Sequence, residues 1–209
     1  MTAPNLRVYV LVDPTLTAGR PPAAIAAAAI RGGATILQVR AKAAATRDLV
    51  ALVDAVQAVA GPHGVPVIVN DRADVAFACG AAGVHLGPDD LPVAVARRLL
   101  AGGALIGRSA GTADEALAAA RDGADYVGTG DVFGTQSKPD ADAPIGLAGL
   151  AAVAAAAPLP VVAIGGVTAA NAADAIRAGA AGVAVLSAVG LADDPEAATR
   201  AIRRAVDGG

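Results

Sequence analysis

The chain has 209 residues, long enough for one sizeable core and near the lower end for an eight-stranded α/β barrel. Its net charge of −3, with aromatics at only 2% and no basic cluster, excludes a nucleic-acid-binding surface. The apolar residues are largely alanine and form no run of the roughly 18–20 needed to span a bilayer, and the single cysteine excludes an internal disulfide.

Taken in order, the segment Met1 to Arg7 lacks a basic start and a long apolar run, so no signal peptide is expected. With the lone Cys79 this fits a cytoplasmic protein. Arg7 to Asp13 reads as a strand. Pro21-Pro22 opens a helix through Ile30, and Gly32-Gly33 closes it. Ala34 to Arg40 is the second strand, and Thr46 to Ala60 is a helix with apolar residues near helical spacing. Val67 to Val69 is a short β-branched run stopping on Asn70-Asp71, followed by a helical stretch to Gly80. Gly83 to Leu86 is a strand stopping on Gly87-Pro88-Asp89-Asp90. Leu91 to Ala101 is a helix and Ala104 to Arg108 a strand. Thr112 to Arg121 is a helix with Thr112 as N-cap and Glu115 three residues on, a capping-box pattern. Ala124 to Gly130 is the sixth strand, followed by a long Gly/Pro/Asp loop from Asp131 to Ile145. Leu147 to Ala157, Thr168 to Ala178 and Pro195 to Val206 are helices, alternating with strands at Pro160 to Ile164 and Gly182 to Leu186.

A helix–Gly–Ala–strand joint recurs at Gly33-Ala34, Gly80-Ala81, Gly103-Ala104, Gly123-Ala124 and Gly179-Ala180. Eight strands and eight helices in strict alternation favour a single (β/α)8 barrel domain over residues 1–209. An open doubly wound sheet is the alternative.

In such a barrel the site collects at the C-terminal ends of the strands. Strand two delivers Gln38, Arg40 and Lys42, whose period-two spacing places them on one face of an extended segment. If that face points inward, the cation pair suits a diphosphate. Asn70-Asp71 and Asp89-Asp90 end adjacent parallel strands, where acids facing one cleft could hold a hard cation such as Mg²⁺. The same residues also suit a helix N-cap and a turn, so both readings stay open. Ser109 ends strand five, and Thr135, Gln136, Ser137 and Lys138 lie in the long loop. Gly165-Gly166 and Leu186-Ser187 follow strands seven and eight, where this fold habitually binds phosphate. His85, in a strand, fits a structural hydrogen-bonding role, Tyr126 fits the core, and Cys79 fits a small buried hydrophobe. No Ser-His-Asp or Cys-His set and no zinc signature is present.

Several of these segments together resemble the thiamine-phosphate synthase family. They are Gln38-Val39-Arg40-Ala41-Lys42, Val69-Asn70-Asp71-Arg72, Gly83 through Leu91, Asp125-Tyr126-Val127-Gly128, Thr135-Gln136-Ser137-Lys138 and Ala163-Ile164-Gly165-Gly166-Val167. The resemblance implies an enzyme joining hydroxymethylpyrimidine diphosphate to a thiazole phosphate with release of diphosphate. It implies that Gln38, Arg40, Lys42, Asn70, Ser109 and Lys138 hold the pyrimidine diphosphate, with Arg40, Lys42, Ser109 and Lys138 the catalytic candidates. It further implies that Asp71 and Asp90 bind Mg²⁺ as cofactor, and that Thr135, Ser137, Gly166, Leu186 and Ser187 hold the thiazole phosphate. Partners are then phosphorylated small molecules and a second copy of the chain as a possible homo-oligomer, with no nucleic acid or membrane. Ala41 stands where the family usually has an acid, and Pro88 where it usually has Gln. Ile106-Gly107-Arg108-Ser109 also resembles the related thiazole tautomerase, which lacks the magnesium acids. A tautomerase-like isomerase and a non-catalytic phosphate-binding barrel are the alternatives.

Overall fold

The computed structural model describes residues 4–100, 102–135 and 143–209. Eight parallel strands, β1 (Val8–Val12), β2 (Ile36–Val39), β3 (Val67–Asn70), β4 (Gly83–Leu86), β5 (Leu105–Ser109), β6 (Tyr126–Thr129), β7 (Val161–Ala163) and β8 (Gly182–Val185), pair in chain order. Pairing of β8 with β1, Val8 opposite Val183 and Val10 opposite Val185, closes the barrel and excludes the open sheet. The intervening helices are α1 (Pro22–Gly32), α2 (Thr46–Ala60), α3 (Ala73–Ala78), α4 (Val93–Leu100), α5 (Ala113–Arg121), α6 (Gly146–Ala156), α7 (Ala172–Arg177), α8 (Ser187–Gly190) and α9 (Pro195–Asp207). Among the described residues no helix is long and apolar enough to cross a membrane.

Alternation along each strand divides the apolar side chains into two sets. Val8, Val10, Val12, Leu37, Val39, Val84 and Val127 face outward and pack beneath the helices. Tyr9, Leu11, Ile36, Ile68, Tyr126, Val162 and Ala184 face inward and fill the barrel. Parity therefore turns Asp13, Gln38 and Arg40 inward with Tyr9 and Ile36, and Asn70 inward with Ile68. The two large rings, Tyr126 and His85, need room in an eight-stranded interior. Glycines supply it: a Cβ on Gly107 would lie 2.2 Å from Tyr126 Cζ and 2.5 Å from His85 Nδ1, and one on Gly128 2.9 Å from His85 Cε1.

Where the structure departs from the sequence reading, local hydrogen bonds explain it. Neither Asn70 nor Asp71 caps α3: the N-cap is Arg72, with no side-chain cap bond, and Asp71 before it has φ 63°. Helix α7 starts at Ala172 rather than Thr168, because the intervening residues form a turn in which the Asn171 side chain reaches back and Thr168 N donates to Asn171 Oδ1 at 2.7 Å. The short α8 is additional to the expected alternation. Cys79 is only partly buried, at the end of α3. The capping box on α5 is present as expected, with Glu115 N donating to Thr112 Oγ1. At the far end of the barrel, Arg97 binds Asp125 Oδ2 at 2.7 Å and Asp125 accepts from Ile106 N, so Asp125 ties α4 to β5 away from the strand ends that carry the candidate site.

Candidate active site

A cavity of about 640 Å³ opens at the C-terminal ends of the strands. Arg40, Lys42, Arg108, Ser109, Thr135, Gly165, Gly166, Leu186 and Ser187 are among its lining residues. Of the expected residues, Arg40, Lys42, Ser109, Thr135, Gly166, Leu186 and Ser187 thus converge on it, because parallel strands end on one edge, whereas Gln38, Asn70, Asp71 and Asp90 are not in its lining. Ser137 and Lys138, with Gln136, lie outside the described residues.

The cationic wall is built from Arg40 and Lys42. Arg40 Nη1 donates to Asp13 Oδ2 at 2.5 Å, and Asp13 also accepts from Thr15 N and Thr15 Oγ1. Asp13 is buried, so its carboxylate fixes the guanidinium at the cavity edge. Lys42 Nζ stands 3.7 Å from Asp71 Oδ2 and is more than half exposed. Arg108 donates to Gly87 O, pinning the turn after β4. Asp13 and Arg108 are not among the expected site residues. Their one sequence signal is that each is a charged residue at the C-terminal end of a strand.

The two expected metal acids come together. Burial, and then the neighbouring Asp90 carboxyl, push the Asp71 carboxyl up to about 6. Asp90 also stabilises its own turn, since Gly87 N donates to Asp90 Oδ2 at 2.6 Å. The turn reading therefore holds for Asp90 alongside the pairing, whereas the capping reading fails for Asp71. Asp89 is exposed. Two neighbouring carboxyls, one of them raised by burial and by the other's charge, are a donor set suited to a divalent cation. Among the described residues no third acid, His or Cys completes an all-protein cage. Mg²⁺ is often bound this way, by one or two carboxylates with the remaining positions left to water and substrate phosphate. The residues present thus fit that ion.

In the cavity lining, Gly165 and Gly166 have φ 98° and 64°. A Cβ on Gly165 would lie 1.9 Å from Asp131 Oδ1, and one on Gly166 2.3 Å from Gly134 O. The Gly-Gly pair is therefore required by close packing of the segment after β6, and it also lines the cavity. Asp131 holds that segment, accepting from Gly134 N at 3.0 Å and Thr135 N at 2.5 Å. Ser187 opens α8 directly after Leu186.

Beneath the cavity runs a polar chain, buried at its Gln38 and tyrosine end and exposed at Ser109. Gln38 Nε2 donates to Tyr9 Oη at 2.8 Å, Tyr9 Oη lies 2.9 Å from Tyr126 Oη, Tyr126 Oη lies 3.3 Å from His85 Nδ1, and His85 Nε2 lies 3.1 Å from Ser109 Oγ. Burial, with a smaller contribution from the Arg108 cation, pushes His85 down to about 4, so the ring is neutral. Burial likewise raises both tyrosines above their ordinary range. The structural role expected for His85 holds. Tyr126 is core, as expected, but it is also the central link of this chain. Asn70, the last residue of β3, pairs in register with His85.

The thiamine monophosphate synthase family model matches residues 8–189. The thiamine-phosphate synthase of Chloroflexus aurantiacus is 54% identical over 200 residues, covering 96% of this chain and 92% of its own. That of Roseiflexus castenholzii is 52% identical over 195 residues, covering 93% and 86%. Among solved structures, the thiamine phosphate pyrophosphorylase of Pyrococcus furiosus matches with a TM-score of 0.89 at 38% identity, over 98% of this chain and 97% of that one. With the family's model spanning the barrel from β1 to α8, and relatives more than half identical over almost the whole length, the chain belongs to the thiamine monophosphate synthase family.

Proposed function

We propose that this chain joins a pyrimidinylmethyl diphosphate to a thiazole phosphate, forming thiamine phosphate and releasing diphosphate. The observation that carries this reading is the meeting of Arg40 and Lys42 with Gly165, Gly166 and Ser187 in the lining of one cavity, with the Asp71–Asp90 pair held beside Lys42. The first group suits a diphosphate and the second a phosphate monoester.

Arg40, held by Asp13, and Lys42 bind the diphosphate oxygens of the first substrate. Asp71 and Asp90 would hold Mg²⁺, which supplies positive charge where negative charge grows on the departing diphosphate. Ser109 and Asn70 orient the same substrate from β5 and β3, with Gln38 beneath them in β2. The C–O bond to the diphosphate breaks, the pyrimidine-methyl carbon becomes cationic, and the thiazole nitrogen closes the new C–N bond. Apolar packing beneath the cavity, from Leu186, Ile164 and the inward barrel side chains, keeps water from that carbon. Thr135, Gly166, Leu186 and Ser187 position the thiazole phosphate so that its nitrogen faces the carbon. Both substrates are phosphorylated small molecules, and a soluble, cytoplasmic setting is proposed with them.

Calorimetric titration of Lys42→Ala with each substrate separately tests this assignment. Loss of one charge-assisted contact should weaken pyrimidine diphosphate binding by roughly ten- to a hundredfold. Thiazole phosphate binding should change little. An equal loss for both ligands would contradict the division of the cavity.

A further inference from the structure

The polar chain beneath the cavity can run in either of two senses, and the Gln38 amide bond selects one. Gln38 donates an amide N–H to Tyr9 Oη, and in the sense that continues from this bond the Tyr9 hydroxyl donates to Tyr126 Oη. In the same sense the Tyr126 hydroxyl donates to His85 Nδ1, which accepts. A neutral imidazole that accepts at Nδ1 carries its hydrogen on Nε2 and gives it to Ser109 Oγ. Ser109 receives that bond on a lone pair, so its own hydrogen is free for the cavity, which it lines.

We propose that Tyr9, Tyr126 and His85 are positioning residues that lock Ser109 as a hydrogen-bond donor toward a phosphate-bearing ligand, rather than serving only as barrel filling. This deepens the proposed function and rests on it for the identity of the ligand. Turning the Gln38 amide by half a turn would reverse every bond. Ser109 would then donate its hydrogen to His85 and offer the cavity only lone pairs. Phosphate oxygens are acceptors, and the neighbouring Arg40 and Lys42 are donors without acceptor capacity. The sense drawn from Gln38 is the one that matches such a ligand. The chain links β2, β1, β6, β4 and β5, and glycines 107 and 128 are what let its two rings from β4 and β6 meet inside the barrel.

The direction can be read without catalysis. Long-range ¹H–¹⁵N correlation spectra report which ring nitrogen of a histidine carries hydrogen. The only other histidine is His63, so a His63→Gln background leaves one signal set. The ligand-free protein should show neutral His85 with hydrogen on Nε2. Gln38→Glu replaces the amide donor by a carboxylate that only accepts, so every bond should reverse and the hydrogen should move to Nδ1. Tyr126→Phe, which keeps the ring and removes the link, should leave a mixture of both tautomers, and it serves if Gln38→Glu does not fold. Inorganic diphosphate with Mg²⁺ is the binding probe. Ser109→Ala should weaken it by roughly tenfold or more, the cost of a hydrogen bond to a charged ligand. Tyr126→Phe should weaken it several-fold in the unaltered chain and not at all in the Ser109→Ala background. Hydrogen on Nδ1 in the unaltered protein, an unchanged tautomer in Gln38→Glu, or fully additive losses would each overturn the proposal. Failure of the unaltered protein to bind diphosphate would remove the proposed function instead, leaving the tautomer to decide the chain.

Discussion

Arg40 and Lys42 look equivalent as neighbouring cations at the end of β2, yet their surroundings separate them. Arg40 is the partner of a buried carboxylate, whereas Lys42 is exposed. Arg40→Ala should therefore cost about 3–5 kcal/mol of stability, because it strands Asp13 without its counter-charge. Adding Asp13→Asn to Arg40→Ala should return part of that loss in a urea melt. Asp71 makes a second residue-scale case. Its carboxyl titrates near 6 in the folded chain, above the ~3.9 of an unfolded one. A raised acid contributes stability that is full below about pH 4 and lost as pH rises through about 6. Mg²⁺, by holding the ionised pair, should raise the melting temperature more at pH 7 than at pH 5, and Asp71→Asn should abolish that difference. Equal Mg²⁺ stabilisation at both pH values in the unaltered protein would count against the acid pair as the metal site.

At the scale of elements, the β/α alternation was legible because each unit carries its own punctuation. Glycine at the helix–strand joints, the Thr112 capping box and β-branched strand runs are all local signals, and β4 begins and ends where they place it. Ends set by longer contacts were not legible. The delayed start of α7 depends on Asn171 reaching Gly166 O and Thr168 N, and the short α8 has no apolar period of its own. Two substitutions separate elements that build the site from those that only support it. Gly165→Ala forces a left-handed residue, about 1–3 kcal/mol of backbone cost alone, and drives a methyl into Asp131. It should lower both stability and turnover. Asp194→Ala removes the N-cap of α9, whose side chain accepts from Ala197 N, and should cost about 1 kcal/mol with turnover unchanged. Urea unfolding and steady-state rates on the two variants check this contrast.

At the scale of the whole molecule, closure of the barrel is what converts scattered strand ends into one cavity. Gln38, Arg40, Asn70, Asp71, Asp90 and Ser109 could be named from sequence, since parallel strands share an edge and period-two spacing shares a face. The support beneath them could not. Tyr9 and Tyr126 touch across 117 residues of chain, and no local pattern marks that pairing. The same holds for Asp13 reaching Arg40 from the neighbouring strand. The proposed magnesium-assisted condensation requires Asp71 and Asp90 to supply the metal site. The most direct measurement is formation of thiamine phosphate from the pyrimidine diphosphate and the thiazole phosphate, followed over a Mg²⁺ titration for the unaltered chain and for Asp71→Asn, Asp90→Asn and Asp89→Asn. Turnover should require Mg²⁺, fall by orders of magnitude in Asp71→Asn and Asp90→Asn with a raised Mg²⁺ requirement, and change little in Asp89→Asn. Undiminished turnover in both Asp71→Asn and Asp90→Asn, or product formation without a divalent cation, would contradict it.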